Sequence, residues 1–192
     1  SWDAMPDLAL EIRDSFARFV AGHPGLHLSA GIALIGAKYP LYQAAADAGD
    51  AERQAKEHPG KNAVTFLGQT LDWDTFRQAA EWEGKLRAMC VEVGVPRALL
   101  RTLVVLQQQH DDKARERAKE GEDRTLDDRP QAYYGPWNWR AAYVLRRLEE
   151  RHRSAAREIG ELRELLSHEH FTSIRWIGLA ARWAELKLRK GE

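Results

Sequence analysis

Strand-forming runs in this chain are confined to residues 26–67, and from Asp72 onward every apolar pattern recurs at helical spacing. That asymmetry limits the fold to an α+β class that is mostly helical, with a small sheet near the N-terminus and a bundle after it. The order of elements can be read along the chain. Leu8, Ile12, Phe16, Phe19 and Val20 mark a one-sided helix over Asp7 to Val20, with Asp3 as its expected N-cap and Pro6 in its first turn. Gly22-His23-Pro24-Gly25 breaks it, and Leu28 to Leu34 then forms an apolar run whose length suits a buried strand. The Ala-rich segment Leu41 to Lys56 predicts a helix whose small side chains let it lie close against a sheet. His58-Pro59-Gly60 ends it, and Ala63 to Leu67 is a second short strand bounded by Gly60 and Gly68. Two strands make no stable sheet, so this half is expected to need strands supplied from upstream.

After residue 70 the spacing predicts helices over Asp74–Val93, Pro96–Lys119 and Pro136–Arg153, then a long pattern from Ser154 through Lys190 that breaks near Ser167-His168. Four or five helices of this length form a bundle. The expected domains are therefore residues 1–70, an α/β half, and residues 71–192, an all-helical domain. Gly121 to Tyr134, rich in Asp, Arg, Gly and Pro, is the loop long enough to be functional. No internal repeat is present.

Charge excludes one class of function. Lys plus Arg and Asp plus Glu are equal at 29 each, so the molecule lacks the overall positive field of a protein that coats nucleic acid, and any such contact must be a local patch. The single cysteine, Cys90, cannot form an intrachain disulfide, which favours a reducing cytoplasm. The apolar stretch Leu28 to Ala37 is about half of the ~20 residues that span a bilayer, so no membrane segment is expected. The opening Ser1-Trp2-Asp3 has no initiator Met and runs straight into a helix, and Ser1 is read as an internal position of something longer.

Several constellations invite chemistry. His110-Asp111-Asp112 is reminiscent of an HD metal site, but nothing marks the further His and Asp such a site needs, so a solvated helix end is the expectation. His168 and His170 are two apart, a spacing that diverges on a helix and cannot chelate one ion. Trp73, Trp82, Trp137, Trp139, Trp176 and Trp183 fall in the helical half, where bundle core is the ordinary fate of large aromatics, with one of the Trp137 and Trp139 pair left exposed. Arg140, Arg146, Arg147, Arg151, Arg153 and Arg157 can touch RNA phosphate, yet Glu149, Glu150 and Glu158 are interleaved with them, so an ion-paired face is the alternative.

Two stretches are more specific than their periodicity. Ser29-Ala30-Gly31-Ile32, then Ala48 through Lys56, then Gly60-Lys61-Asn62-Ala63-Val64 resembles the second half of nucleotide-cyclase Palm domains. Tyr39-Pro40-Leu41, Phe66 through Trp73 and Trp139 through Arg147 extend the likeness. Together they resemble the large subunit of type III-A CRISPR effector complexes, the Csm-type Palm protein, over essentially the whole chain. In that family the large subunit carries an HD nuclease domain for single-stranded DNA and two Palm domains. The second Palm bears a Gly-Gly-Asp-Asp hairpin whose Asp residues hold the divalent metal ions used in joining ATP into cyclic oligoadenylates.

No Gly-Gly-Asp-Asp occurs in this chain, so the resemblance implies a Palm half without catalytic residues or metal ligands of its own. Phosphoryl transfer depends on the carboxylates that grip its metals, so the chain alone is expected to be inactive. ATP and Mg²⁺ or Mn²⁺ are expected only in the intact parent. By resemblance, Ser29 faces the nucleotide while Lys56 and Lys61 present ammonium groups to the triphosphate; otherwise Ser29 is a strand residue and both lysines are solvated. Arg140, Arg146 and Arg147 are the candidate nucleic-acid contacts. The implied role is a docking scaffold in antiviral defence, with the small helical subunit, other Csm subunits, guide RNA and target RNA as partners. Two other readings stay open: a stand-alone helical interaction module, or a divergent diguanylate-cyclase-like domain. An open strand edge in the Palm half would also invite swapping or self-association.

Overall fold

The computed structural model describes residues 2–120 and 135–190, and it divides the chain between Ala80 and Glu81 into two compact units. The first unit opens with a 3-10 turn at Trp2–Ala4, then α1 (Met5–Phe19), β1 (Ala30–Ile32), α2 (Leu41–Glu57), β2 (Ala63–Phe66), β3 (Gln69–Asp72) and the start of α3 (Trp73–Val91). Asp3 sits within the 3-10 turn, and the N-cap position of α1 is Ala4, which makes no side-chain bond. The helix begins one residue later than the cap signal predicts.

The sheet has three strands, not two, in the order β1-β2-β3. β1 runs parallel to β2 with Ala30 opposite Val64, and β2 runs antiparallel to β3 with Phe66 opposite Gln69. The third strand is reached through a two-residue turn in which Leu67 (φ 51°) and Gly68 (φ 76°) both lie in the left-handed region. That is the type I′ geometry whose twist matches a hairpin. Leu is a poor occupant of its first position, because an L side chain there crowds the following carbonyl. Leu67→Asn should therefore stabilise the unit by about 0.5 kcal/mol, the low end of what relieving such a position yields. An unchanged or lower urea midpoint would contradict it.

The sheet thus holds one strand more than the sequence pattern announces, and α2 packs on it. Val64 and Phe66 are fully buried, and Phe66 meets Phe76 edge to face at 6.2 Å. Trp73 adds a second edge contact to Phe76 at 6.2 Å, and its indole Nε1 donates to the Leu28 carbonyl at 2.8 Å, tying α3 to the chain entering β1. Asp72 caps α3 by accepting from the Thr75 N–H at 2.8 Å. The small residues of α2 do let it approach the sheet, since a Cβ built on Gly31 would lie 2.3 Å from the Glu52 amide nitrogen.

The second unit holds the rest of α3, α4 (Ala98–Glu120), α5 (Pro136–Arg151), α6 (Ala156–Ser167) and α7 (Ile174–Lys190). Single 3-10 turns at Arg153–Ala155 and His168–Phe171 set off α6, the second falling where the sequence pattern breaks. Its core is the α4–α7 seam, with Leu99, Leu100, Leu103 and Leu106 on one side and Ile174, Ile177, Ala181 and Trp183 on the other, all buried. Gln107 crosses that seam and donates from Nε2 to the Arg175 carbonyl at 2.8 Å, opposite Gly178, where a Cβ would lie 2.9 Å from its own Cβ. Glu83 is buried but accepts from Lys187 Nζ at 2.8 Å, so its charge is compensated.

His110 corrects an expectation. It lies mid-helix in α4 and is 3% exposed, its Nδ1 3.0 Å from Asp111 Oδ1 and its ring edge-on to Trp137 at 5.6 Å. It is packed aromatic core, not a solvated helix end. The 121–134 loop lies outside the described residues, as do the side chains of Glu169 and His170. Among the described residues no helix is long and apolar enough to cross a membrane.

Candidate functional site

The residues predicted for the nucleotide all fall toward one end of the sheet. Because β1 and β2 are parallel, α2 carries the chain back along the sheet, and its last turn returns to the end where β1 begins. Ser29 immediately precedes β1, Lys56 lies in the last turn of α2, and Lys61 lies two residues before β2. The turn between helix and strand is built from three consecutive left-handed residues, Gly60 (φ 78°), Lys61 (φ 55°) and Asn62 (φ 49°). It is held by the Lys61 N–H donating to the His58 carbonyl at 2.7 Å.

The electrostatics of this end are specific. It is the C-terminus of α2, where the helix dipole places partial negative charge, so a phosphate would gain nothing from the backbone. The positive field has to come from Lys56 and Lys61. Lys56 is ion-paired with Glu52 one turn earlier and is more than half exposed. A pair of that kind is worth at most about 1 kcal/mol, so an anion could take Lys56 from Glu52 at little cost. Lys61 is exposed, and Ser29 is half-buried.

Tyr39, in the segment entering α2, donates from its hydroxyl to Asp47 Oδ2 at 2.7 Å, and that bond holds the phenol pKa above its ordinary value. The thiol of Cys90 is raised too, by burial first, with nearby Arg97 acting weakly against it, so it is a poor nucleophile near neutral pH. Among the described residues no three His, Cys, Asp or Glu side chains converge to hold a metal ion.

The three candidate arginines share the outer part of α5. Arg146 pairs with Glu150 at 3.3 Å, while Arg147 donates to the Tyr143 hydroxyl at 3.1 Å and lies over its ring, 6.0 Å from the centroid. Arg140 is exposed about two turns before them. Of the two neighbouring tryptophans, Trp137 is buried and Trp139 is 82% exposed. Sequence reasoning left that pair unassigned and missed Tyr143. The signal was present in the spacing, since Trp137, Ala141 and Leu145 form the buried line of α5 and leave Trp139 and Tyr143 on the opposite face.

Comparison with known proteins gives two likenesses. Residues 1–65 match the family model of Cas10/Cmr2, second palm domain. Over 76 residues the chain is 38% identical to the CRISPR system single-strand-specific deoxyribonuclease Cas10/Csm1 (subtype III-A) of Mycobacterium tuberculosis. That match covers 38% of this chain and 9% of the relative, so the chain spans only a small part of that protein's length. No solved structure matches the chain. Both comparisons support a Cas10-like chain, its first 65 residues matching that family's second palm domain.

Proposed function

We propose that this chain contributes the closing half of a Palm domain, and a helical docking domain, to the large subunit of a type III-A CRISPR effector complex. In this reading the end of the sheet carrying Ser29, Lys56 and Lys61 is part of an ATP site. The observation that carries it is the distribution of exposed apolar surface. Among the described residues, ten of the thirteen exposed large apolar side chains belong to residues 1–80, including Met5, Leu8, Ile12 and Phe19 on one stripe of α1. A unit with its own complete core rarely leaves so much uncovered, and β1 ends the sheet with one edge unpaired among the described residues. Upstream strands of the intact Palm would cover both.

Within that site this chain supplies positive charge and a hydroxyl, and carboxylates held elsewhere in the intact protein would supply the grip on Mg²⁺ or Mn²⁺. Among the described residues no three His, Cys, Asp or Glu side chains converge on a metal position, so no step is assigned to one. Lys56 and Lys61 would hold the triphosphate as point charges, and Ser29 would orient it. The helical unit would dock on other Csm subunits, the small helical subunit among them, beside guide and target RNA.

Incubation with ATP, Mg²⁺ or Mn²⁺ and target RNA tests the reading. The chain alone should make no cyclic oligoadenylate, and the intact subunit in its complex should make it, with Lys56→Ala and Lys61→Ala each lowering the yield. Product from the chain alone, or full yield from an intact subunit carrying both substitutions, would overturn it.

A further inference from the structure

The outer face of α5 has no structural use for what it displays. Trp139 is 82% exposed and Tyr143 is 63% exposed, one turn apart and therefore neighbours on the helix surface. Neither contributes to the buried line of Trp137, Ala141 and Leu145. Arg140, Arg146, Arg147 and Arg151 surround them, all exposed; among the described residues of α5, Glu150 pairs with Arg146 at 3.3 Å and Glu149 is turned toward Arg163 at 2.9 Å, which leaves Arg140, Arg147 and Arg151 in excess. In a chain whose total charge is balanced, this is a locally cationic strip with two flat π-faces in its middle.

We propose that this strip binds single-stranded nucleic acid, with Trp139 and Tyr143 stacking on successive unpaired bases and Arg140, Arg147 and Arg151 meeting the phosphates. Aromatic rings flanked by arginine suit a flexible polyanion that carries its own rings, since stacking is tolerant of base identity and the arginines follow the backbone. A duplex keeps its bases stacked inside and offers these rings nothing. An acidic protein surface would satisfy the arginines but leave both aromatic faces without a matching plane. Arg147, already over the Tyr143 ring and bonded to its hydroxyl, has further N–H groups for phosphate. The proposal concerns the second unit only and goes beyond the ATP-site reading, which stands or falls separately.

Fluorescence anisotropy of labelled oligouridylate and oligothymidylate, titrated with the chain, tests it, the two arms showing whether ribose or deoxyribose is preferred. The wild-type chain should bind at least one of them at low salt, with quenching of tryptophan emission. Trp139→Ala and Tyr143→Ala should each weaken binding about tenfold, the range expected for one lost stack. Trp139→Phe and Tyr143→Phe should keep most of it. Arg140→Ala should instead flatten the dependence of affinity on salt. These side chains are exposed, so the thermal melts should match wild type. Failure of the wild type to bind either strand, equal binding of a duplex, indifference to both alanine substitutions, or full displacement by polyglutamate at equal charge would each overturn it.

Discussion

Gly31→Ala is expected to unfold the first unit while leaving the second intact. A Cβ at position 31 would lie 2.3 Å from the Glu52 amide nitrogen, 2.7 Å from the Ala48 carbonyl oxygen and 2.7 Å from the Ala51 carbonyl carbon. All three are backbone atoms of α2, so no side chain can swing aside. The strand and helix would have to separate, and separation would expose Ala55 and loosen β1 from β2, which it meets over only three residues. Overpacking of this kind costs about 3 kcal/mol or more where the obstacle is main chain. A three-stranded sheet with one open edge has little to spare. Limited proteolysis should show new cleavage within residues 1–80 and none in the helical unit. Gly49→Ala is the control, because Gly49 lies on α2 with nothing within 4 Å of its would-be Cβ, and alanine there should stabilise the helix by about 0.5–1 kcal/mol. Equal melting of Gly31→Ala and wild type would show that α2 does not lie where the structure puts it.

Trp183→Ala should do the corresponding damage to the second unit. The indole is fully buried in α7, and its face carries the Lys187 ammonium at 5.0 Å from the ring centroid. Removing it opens a large cavity in the seam with α4, and losses of about 3–5 kcal/mol are usual for a buried Trp. Lys187 would also lose the ring it rests on beside Glu83, a buried carboxylate that would then keep only Arg87, at 3.4 Å, of these two cations. Denaturant unfolding followed by far-ultraviolet circular dichroism should show the midpoint falling while Trp139→Ala leaves it unchanged. A shift under about 1 kcal/mol would mean that the seam repacks around the gap.

The helices were legible because each spans enough residues for the 3.6-residue period to repeat, and even the interruption at His168 to Phe171 registers in the pattern. β3 was not, since Gln69-Thr70-Leu71-Asp72 holds one apolar residue and its turn, Leu67-Gly68, lacks the Asn or Asp that announces a type I′ hairpin. Its place depends on pairing, with Thr65 and Thr70 hydroxyls meeting at 2.8 Å across the strands. His110 was misread for a related reason. Polar residues flank it in sequence, and only the arrival of Trp137 from α5 turns that side of α4 into core. Of the candidate site, Ser29, Lys56 and Lys61 could be named from motif likeness, but their placement toward one end of the sheet follows from the parallel pairing of β1 with β2, which composition cannot give. The exposure of Trp139 and Tyr143 was hidden because two tryptophans two residues apart look alike until one knows which face of α5 is covered.

The proposed function requires the first unit to be the later half of a Palm whose carboxylates lie elsewhere in the intact protein. Sequencing the coding DNA immediately upstream of the codon for Ser1 measures this directly. A Gly-Gly-Asp-Asp hairpin flanked by strand-forming residues is the predicted result. A start codon there, or a polar linker without those carboxylates, would contradict the account.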